Sequence, residues 1–223
     1  MACILNLETS TTNCSVALSL NGELLILKED NSAKYSHAER LHLYIDAVLK
    51  QTQTEFSQID AIAVSKGPGS YTGLRIGVSA AKGLCFGLDI PLISLPTLEV
   101  LAHKIQIEEG SIVATLDARR MEVYSAVFDT NHQCIGHTTA KILDSGSYAD
   151  LLEKHAVFFV GNGAAKTQDL INHPEAHFDV QLPSAKQMCT LSYQKYKARN
   201  FEDLAYFEPF YLKDFIAFPS NKN

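Results

Sequence analysis

A chain of 223 residues with 46% hydrophobic and 20% charged residues has the composition of a soluble globular protein. At that size folding removes roughly 70% of the unfolded chain's surface from water, so a core forms without disulfide or metal staples. With a net charge of −6, tight autonomous nucleic-acid binding is not expected, because an acidic chain gains little from releasing counterions, and no basic stripe with interleaved aromatic residues is expected.

The opening run, Met1 to Glu8, lacks a basic leader region and reaches an acid after few apolar residues, so it reads as a buried strand and not a signal peptide. A polar turn, Ser10-Thr11-Thr12-Asn13, leads into a second apolar run through Leu20. Asn21-Gly22 is a two-residue hairpin signal, which places a third strand over Glu23 to Lys28. From Ser36 to about Gln53, Leu41, Tyr44, Ile45, Val48 and Leu49 recur at helical spacing. Ile59 to Ser65 reads as a strand and Lys66 to Ser70 as a tight turn. Ser70 caps a helix to about Gly87. Ile90 to Leu95 is a further strand, and Thr97 is the expected cap of a helix to about Ile105.

The pattern then restarts. Ser111 to Leu116 is a strand ending at Asp117, a polar turn spans Ala118 to Glu122, and Val123 to Phe128 is a return strand. Glu8 and Asp117 stand 109 residues apart, and Val16-Ala17-Leu18 and Ser125-Ala126-Val127 keep that offset. Ala156 to Val160 is a strand, and Ala164 to Ile171 and Ala185 to Arg199 are helices. Two halves that each begin with an acid-tipped hairpin give an α/β fold of two duplicated lobes, as in actin, Hsp70 and the sugar kinases. The division expected is 1–106 for an N-terminal lobe and 107–223 for a C-terminal lobe. In that architecture the two hairpin turns and a later glycine turn, here Gly161-Asn162-Gly163-Ala164, line the cleft between lobes. Backbone N–H groups at such a helix start favour phosphate. Thr11, Arg119, Gly161 and Gly163 are therefore the candidate nucleotide contacts.

The cysteines, Cys3, Cys14, Cys85, Cys134 and Cys189, are widely spaced with no CxxC pair. They give no zinc or redox signature, and most read as small buried hydrophobes in a cytosolic protein.

Ser65-Lys66-Gly67-Pro68-Gly69-Ser70-Tyr71-Thr72-Gly73-Leu74-Arg75-Ile76-Gly77 is the most distinctive stretch, and it resembles the signature of the TsaB (YeaZ) family. The Leu7-Glu8-Thr9-Ser10-Thr11 turn, the Ser36-His37 helix entry, Pro96-Thr97-Leu98-Glu99 and Leu116-Asp117-Ala118-Arg119-Arg120-Met121-Glu122-Val123-Tyr124 occur in the same order as in that family. The resemblance implies a non-catalytic paralogue in the machinery that makes N6-threonylcarbamoyladenosine at position 37 of tRNAs. It implies a metal-bearing sibling of the same fold, TsaD, as dimer partner, and TsaE, a P-loop ATPase, docking at the pair. It further implies tRNA contact only through the complex, self-pairing when the chain is alone, no membrane association, and no intrinsic cofactor, with ATP or ADP expected at most at the complex interface.

The sibling holds metal through a His-x-x-x-His pair after the strand that corresponds to Ile90–Leu95. Matching the central Leu98-Glu99 puts Thr97 and Leu101 at those positions, and a leucine cannot ligate. No catalytic residue and no metal ligand is assigned. His173-Pro174-Glu175-Ala176-His177 reads as a surface turn, because Pro174 opposes a helix through both histidines. The family also implies a partner surface on the first two helices. Leu43 and Ala47 lie opposite the core stripe of the first helix. On the second, Tyr71, Gly73, Leu74, Gly77, Val78 and Ala81 are the expected contacts, with Gly73, Gly77 and Ala81 spaced to let another helix approach closely; the alternative is that this helix is the central buried helix of its lobe. The competing reading is a small kinase-like, nucleotide-dependent enzyme using the interlobe cleft through Glu8 and Asp117. Against it, the Glu8–Thr12 turn lacks the glycines of a phosphate hairpin.

Overall fold

The computed structural model describes residues 1–30 and 37–213; the expected helix start at Ser36 lies outside them. β1 (Cys3–Glu8), β2 (Cys14–Leu20) and β3 (Glu23–Asp30) form an antiparallel meander. Asn21 and Gly22 turn it with φ of 52° and 88°, the geometry for which that dipeptide is suited. α1 (His37–Thr52) crosses to β4 (Ala61–Gly67), parallel to β1, and α2 (Tyr71–Leu88) crosses to β5 (Leu92–Pro96), parallel to β4. α3 (Thr97–Ala102) then leads into the second sheet.

That sheet repeats the plan. β6 (Ser111–Asp117), β7 (Glu122–Phe128) and β8 (Cys134–Ile142) form the meander. α4 (Ala149–Leu152) precedes β9 (Val157–Val160), which is parallel to β6, and α5 (Gly163–Gln168) precedes β10 (Ala176–Asp179), which is parallel to β9. The strand orders are β3-β2-β1-β4-β5 and, read from the opposite edge, β8-β7-β6-β9-β10. The same topology occurs twice in the chain, the duplicated α/β arrangement of the actin, Hsp70 and sugar-kinase fold.

Both faces of the first sheet are covered, which is why β1 and β4 are buried at almost every position. Leu5, Leu7, Ile62 and Val64 face α1 and α2, meeting Leu41, Ile45, Val48, Val78 and Ala81. Ile4, Ala61, Ala63, Ile93 and Leu95 face the other way, onto Val100 and onto α6 (Ala185–Lys197) through Met188 and Leu191. α3 joins the lobes: Val100 packs on the first sheet, Leu98 and Leu101 on the second. The division after residue 106 separates the sheets, and α6 crosses it to cover the first.

Several local expectations change. Thr97 is the first residue of α3 and Pro96 occupies the cap position without a side-chain bond, so the hydroxyl caps nothing. α3 ends at Ala102. The stretch read as a turn around His173–His177 contains the start of β10, and the His177 ring stacks on Phe158 at 4.7 Å. β8 and α4 were not expected. β8 is a largely exposed edge strand and α4 is a single turn, so neither leaves a periodic apolar signal.

Candidate partner surface and interlobe turns

α2 begins where Ser70 Oγ accepts the Gly73 N–H at 3.2 Å, as its sequence predicts. The turn before it is shaped by close approaches. Gly67 has φ of 115°, and Gly69 lies against the backbone of Ser10, whose carbonyl accepts the Ser70 N–H at 2.6 Å. Further along, Thr9 Oγ1 donates to the Gly73 carbonyl at 2.8 Å. A Cβ on Gly73 would collide with the Thr9 carbonyl, and one on Gly77 with the Thr9 side chain. Leu74, Val78 and Ala81 are buried, the last two in the same core as Leu5 and Leu7.

This corrects five of the expected partner contacts. Gly73, Leu74, Gly77, Val78 and Ala81 face this chain's own first hairpin and sheet. The small-residue spacing does serve close approach, but to a β-turn of the same chain. Tyr71 is half-buried, 4.9 Å from the Tyr211 ring and 4.2 Å from the Arg75 guanidinium, so it belongs to a contact with the C-terminal segment. That segment runs along α2: Lys82 Nζ donates to the Phe207 carbonyl at 2.9 Å, and Phe207 joins the first core. Sequence reading missed it because an aromatic tail has no period.

What α2 turns outward is Thr72, Arg75, Ser79, Gly83 and Phe86. Phe86 is 83% exposed, and an added Cβ on Gly83 or Gly87 would meet nothing within 4 Å. Beside α2, α1 turns outward Leu43, 65% exposed, and the half-buried Ala47. Leu43 thus stands on an outward face as expected; Phe86 was missed because its helix looked apolar on every side.

The first interlobe turn is filled by its own chain. Thr11 is buried, its carbonyl accepting from His37 Nε2 at 2.6 Å, and Asn13 Nδ2 donates to the Pro183 carbonyl at 3.0 Å. Burial holds the His37 imidazole below its usual range. Glu8 is wholly buried and its Oε1 accepts the Ser10 N–H at 2.6 Å. Loss of water pushes its carboxyl well above the usual carboxylate range, and hydrogen bonding from Ser10, Ser65 and Thr9 offsets this in part.

In the second turn Asp117 Oδ1 accepts the Arg119 N–H at 2.6 Å, and Asp117 N–H donates to Asn162 Oδ1 at 2.9 Å. Gly161, with φ of 121°, and Gly163 pack tightly on Thr115, while Arg119 is exposed. The structure therefore brings Arg119 and the glycine turn to one site. Lys166 sits at its centre, donating to Asp117 Oδ1 and the Arg120 carbonyl at 2.7 Å each and to the Glu122 carbonyl at 3.1 Å. No sequence signal marked Lys166, whose partners are set by tertiary contact. Thr97 and Leu101 are both fully buried in α3.

The end of α6 carries a local cluster of aromatic and basic residues. Tyr193, Tyr196 and Phe201 there line one cavity together with Lys197 and Arg199. No described helix is long and apolar enough to cross a membrane.

The family model described as TsaD, tRNA N6-adenosine threonylcarbamoyltransferase, matches residues 31–218. The tRNA threonylcarbamoyladenosine biosynthesis protein TsaB of Haemophilus influenzae is 31% identical over 222 residues, covering 95% of this chain and 93% of that protein. The chain belongs to the TsaB (YeaZ) family. TsaB of Escherichia coli is 29% identical, with 96% of each chain covered. YeaZ from Pseudomonas aeruginosa superposes with a TM-score of 0.84 at 28% identity, over 95% of this chain and all of that one. Because these family members match over nearly the whole chain, both lobes are common to them.

Proposed function

We propose that this chain is a non-catalytic subunit of the complex that forms N6-threonylcarbamoyladenosine at position 37 of tRNAs, and that it works by dimerising with a metal-bearing TsaD-type transferase. The observation that carries this reading is the outward exposure of Leu43 on α1 and of Phe86 on α2, the latter flanked by the open Gly83 and Gly87. Two large apolar side chains turned to water on neighbouring helices fit a surface that another protein covers. Substitution of the sibling's histidine pair by Thr97 and Leu101 supports the absence of metal chemistry in this subunit. A TsaE-type P-loop ATPase docks on the pair, tRNA is engaged through the complex, and the same face permits self-pairing when the chain is alone. ATP or ADP belongs to the complex interface.

The test is reconstitution on transcript tRNA with threonylcarbamoyl-adenylate supplied. The expected result is no product from this chain alone and a higher rate from the sibling when the chain is added. Product made by the chain alone refutes the reading. So does sustained ATP turnover by the isolated chain that is lost on changing Glu8 or Asp117, which would establish the nucleotide-dependent enzyme instead.

A further inference from the structure

A cavity of about 440 Å³ opens at the end of α6, beside the start of β1 and the β2–β3 turn. It lies at the opposite end of the first sheet from Glu8 and Thr11. Its volume falls in the range of about 300–1,000 Å³ usual for small-molecule sites. Tyr193, Tyr196, Lys197, Arg199 and Phe201 line one side and Asn21 the other. No carboxylate lines it, although the chain carries a net charge of −6.

The aromatic wall is fixed in place. Tyr193 and Tyr196 pack against the core between α6 and the first sheet, and a Cβ added to Gly22 would come within 3.1 Å of the Tyr193 ring. Tyr196 and Phe201 lie 5.8 Å apart with their rings tilted by 57°. Both cations are exposed at the cavity rim. Lys197 Nζ stands 4.9 Å from the Tyr193 ring, and among the described residues neither Lys197 nor Arg199 forms an ion pair.

The ordinary reason for cations here is the negative end of the helix dipole. The terminal carbonyls of α6 are in part satisfied by the backbone itself. The Asn200 N–H bonds the Lys195 carbonyl at 2.9 Å and the Arg199 N–H bonds the Tyr196 carbonyl at 3.0 Å, the paired closure that usually places glycine at the left-handed position. Arg199 holds that position with φ of 53°, where a side chain is disfavoured and glycine is not. Arg199 shares this left-handed geometry with Gln53 after α1 and Asp89 after α2, but only its side chain lines the cavity.

We propose that this cavity binds one nucleotide unit, its base against Tyr196 and Phe201 and its phosphate between Lys197 and Arg199. Aromatic faces stack on any base, and uncompensated cations neutralise a phosphate. The unit is either a free nucleotide or one residue of an RNA strand crossing the open mouth. The site is separate from the partner face and stands whether or not the subunit reading holds.

The experiment is a titration of the full chain with AMP, with a seven-nucleotide oligoadenylate and with inorganic phosphate, followed by amide chemical shifts. Shifts grouped over residues 193–201 and around Asn21 are expected. Arg199→Gly should weaken binding at least fivefold while leaving the melting temperature equal or higher, and Lys197→Gln should weaken it similarly. Oligoadenylate binding at least tenfold tighter than AMP assigns the site to a strand; equal affinity assigns it to a free nucleotide. Absence of shifts with both, shifts confined to other residues, or unchanged affinity in both variants overturns the proposal. Phosphate binding as well as AMP does so too, since it leaves no part for the aromatic wall.

Discussion

Thr9 donates its hydroxyl to the carbonyl of Gly73 at 2.8 Å, and its side chain occupies the space where a side chain on Gly77 would begin. One residue of the first hairpin turn thereby sets the height at which α2 crosses the sheet. The glycines of α2 accordingly fall into two classes. Alanine at Gly73 gains up to about 1 kcal/mol in helix propensity but must displace backbone, and overpacking costs about 1–3 kcal/mol. Gly73→Ala should lower stability by about 1–2 kcal/mol in urea unfolding. Gly83→Ala, which meets open space, should raise it by up to about 1 kcal/mol. Equal effects of the two changes would show that Thr9 does not position the helix.

Glu8 gives a pH dependence whose sign follows from its burial. Its carboxyl is raised in the folded chain above the ordinary value of 4.5, so the folded state holds a proton that the unfolded state releases. Its contribution to stability is full below pH 4.5 and is lost as pH climbs from there through the raised folded value, at no more than about 1.4 kcal/mol per pH unit. Glu8→Gln retains an oxygen for the Ser10 N–H and cannot ionise. The variant should gain stability over the parent chain with rising pH across that window, measured by unfolding in a pH series. A constant difference between the two proteins would mean that Glu8 keeps an ordinary pKa.

Lys166 gathers three acceptors of the β6–β7 turn, one of them the Asp117 carboxylate. Methionine keeps the stem and removes the donors. Lys166→Met should cost about 1–3 kcal/mol, the range for leaving such groups unsatisfied, at its lower end because Asp117 is partly exposed to water. Hydrogen exchange should speed up over residues 118–122 and stay unchanged in β1 and β2. Uniform acceleration across both lobes would contradict a local role.

The parts of this fold that were legible in the sequence are those that local chemistry fixes. Asn21-Gly22 demanded a positive-φ turn, Ser70 supplied a cap, and Leu41, Ile45 and Val48 kept helical period because one face of α1 is buried. The offset between Glu8 and Asp117 exposed the duplication because each acid ends the first strand of its sheet. What stayed hidden depends on long-range contact. Gly73 and Gly77 signal close approach without naming the neighbour, and Thr9 lies more than sixty residues earlier. Leu74, Val78 and Phe86 are equally apolar, yet only Phe86 faces outward, since the Phe207 segment and the sheet decide which sides are covered. At the interlobe turns Arg119 and the Gly161–Gly163 turn could be placed together by analogy, whereas Lys166 between them could not.

The partner face offers the most direct test of the subunit reading. Leu43 is 65% exposed and Phe86 83%, so neither contributes much to the isolated fold. Fully burying a side chain of this size is worth about 1.5–3 kcal/mol. A glutamate at position 43 would instead bring a charge to be desolvated at the interface. Leu43→Glu and Phe86→Ser should therefore leave circular dichroism and melting temperature nearly unchanged. Each should weaken the heterodimer with the TsaD-type sibling at least tenfold, equivalent to about 1.4 kcal/mol. Gly77 is unsuitable for this purpose, because any side chain there strikes Thr9 and mixes loss of fold with loss of binding. Gly83→Ala separates the two effects: it should raise the chain's own stability and, if the partner packs against α2 here, weaken pairing. If the two outward variants remain folded and bind the sibling as tightly as the parent chain, the partner docks on another face, and the exposed β8 edge becomes the next surface to test.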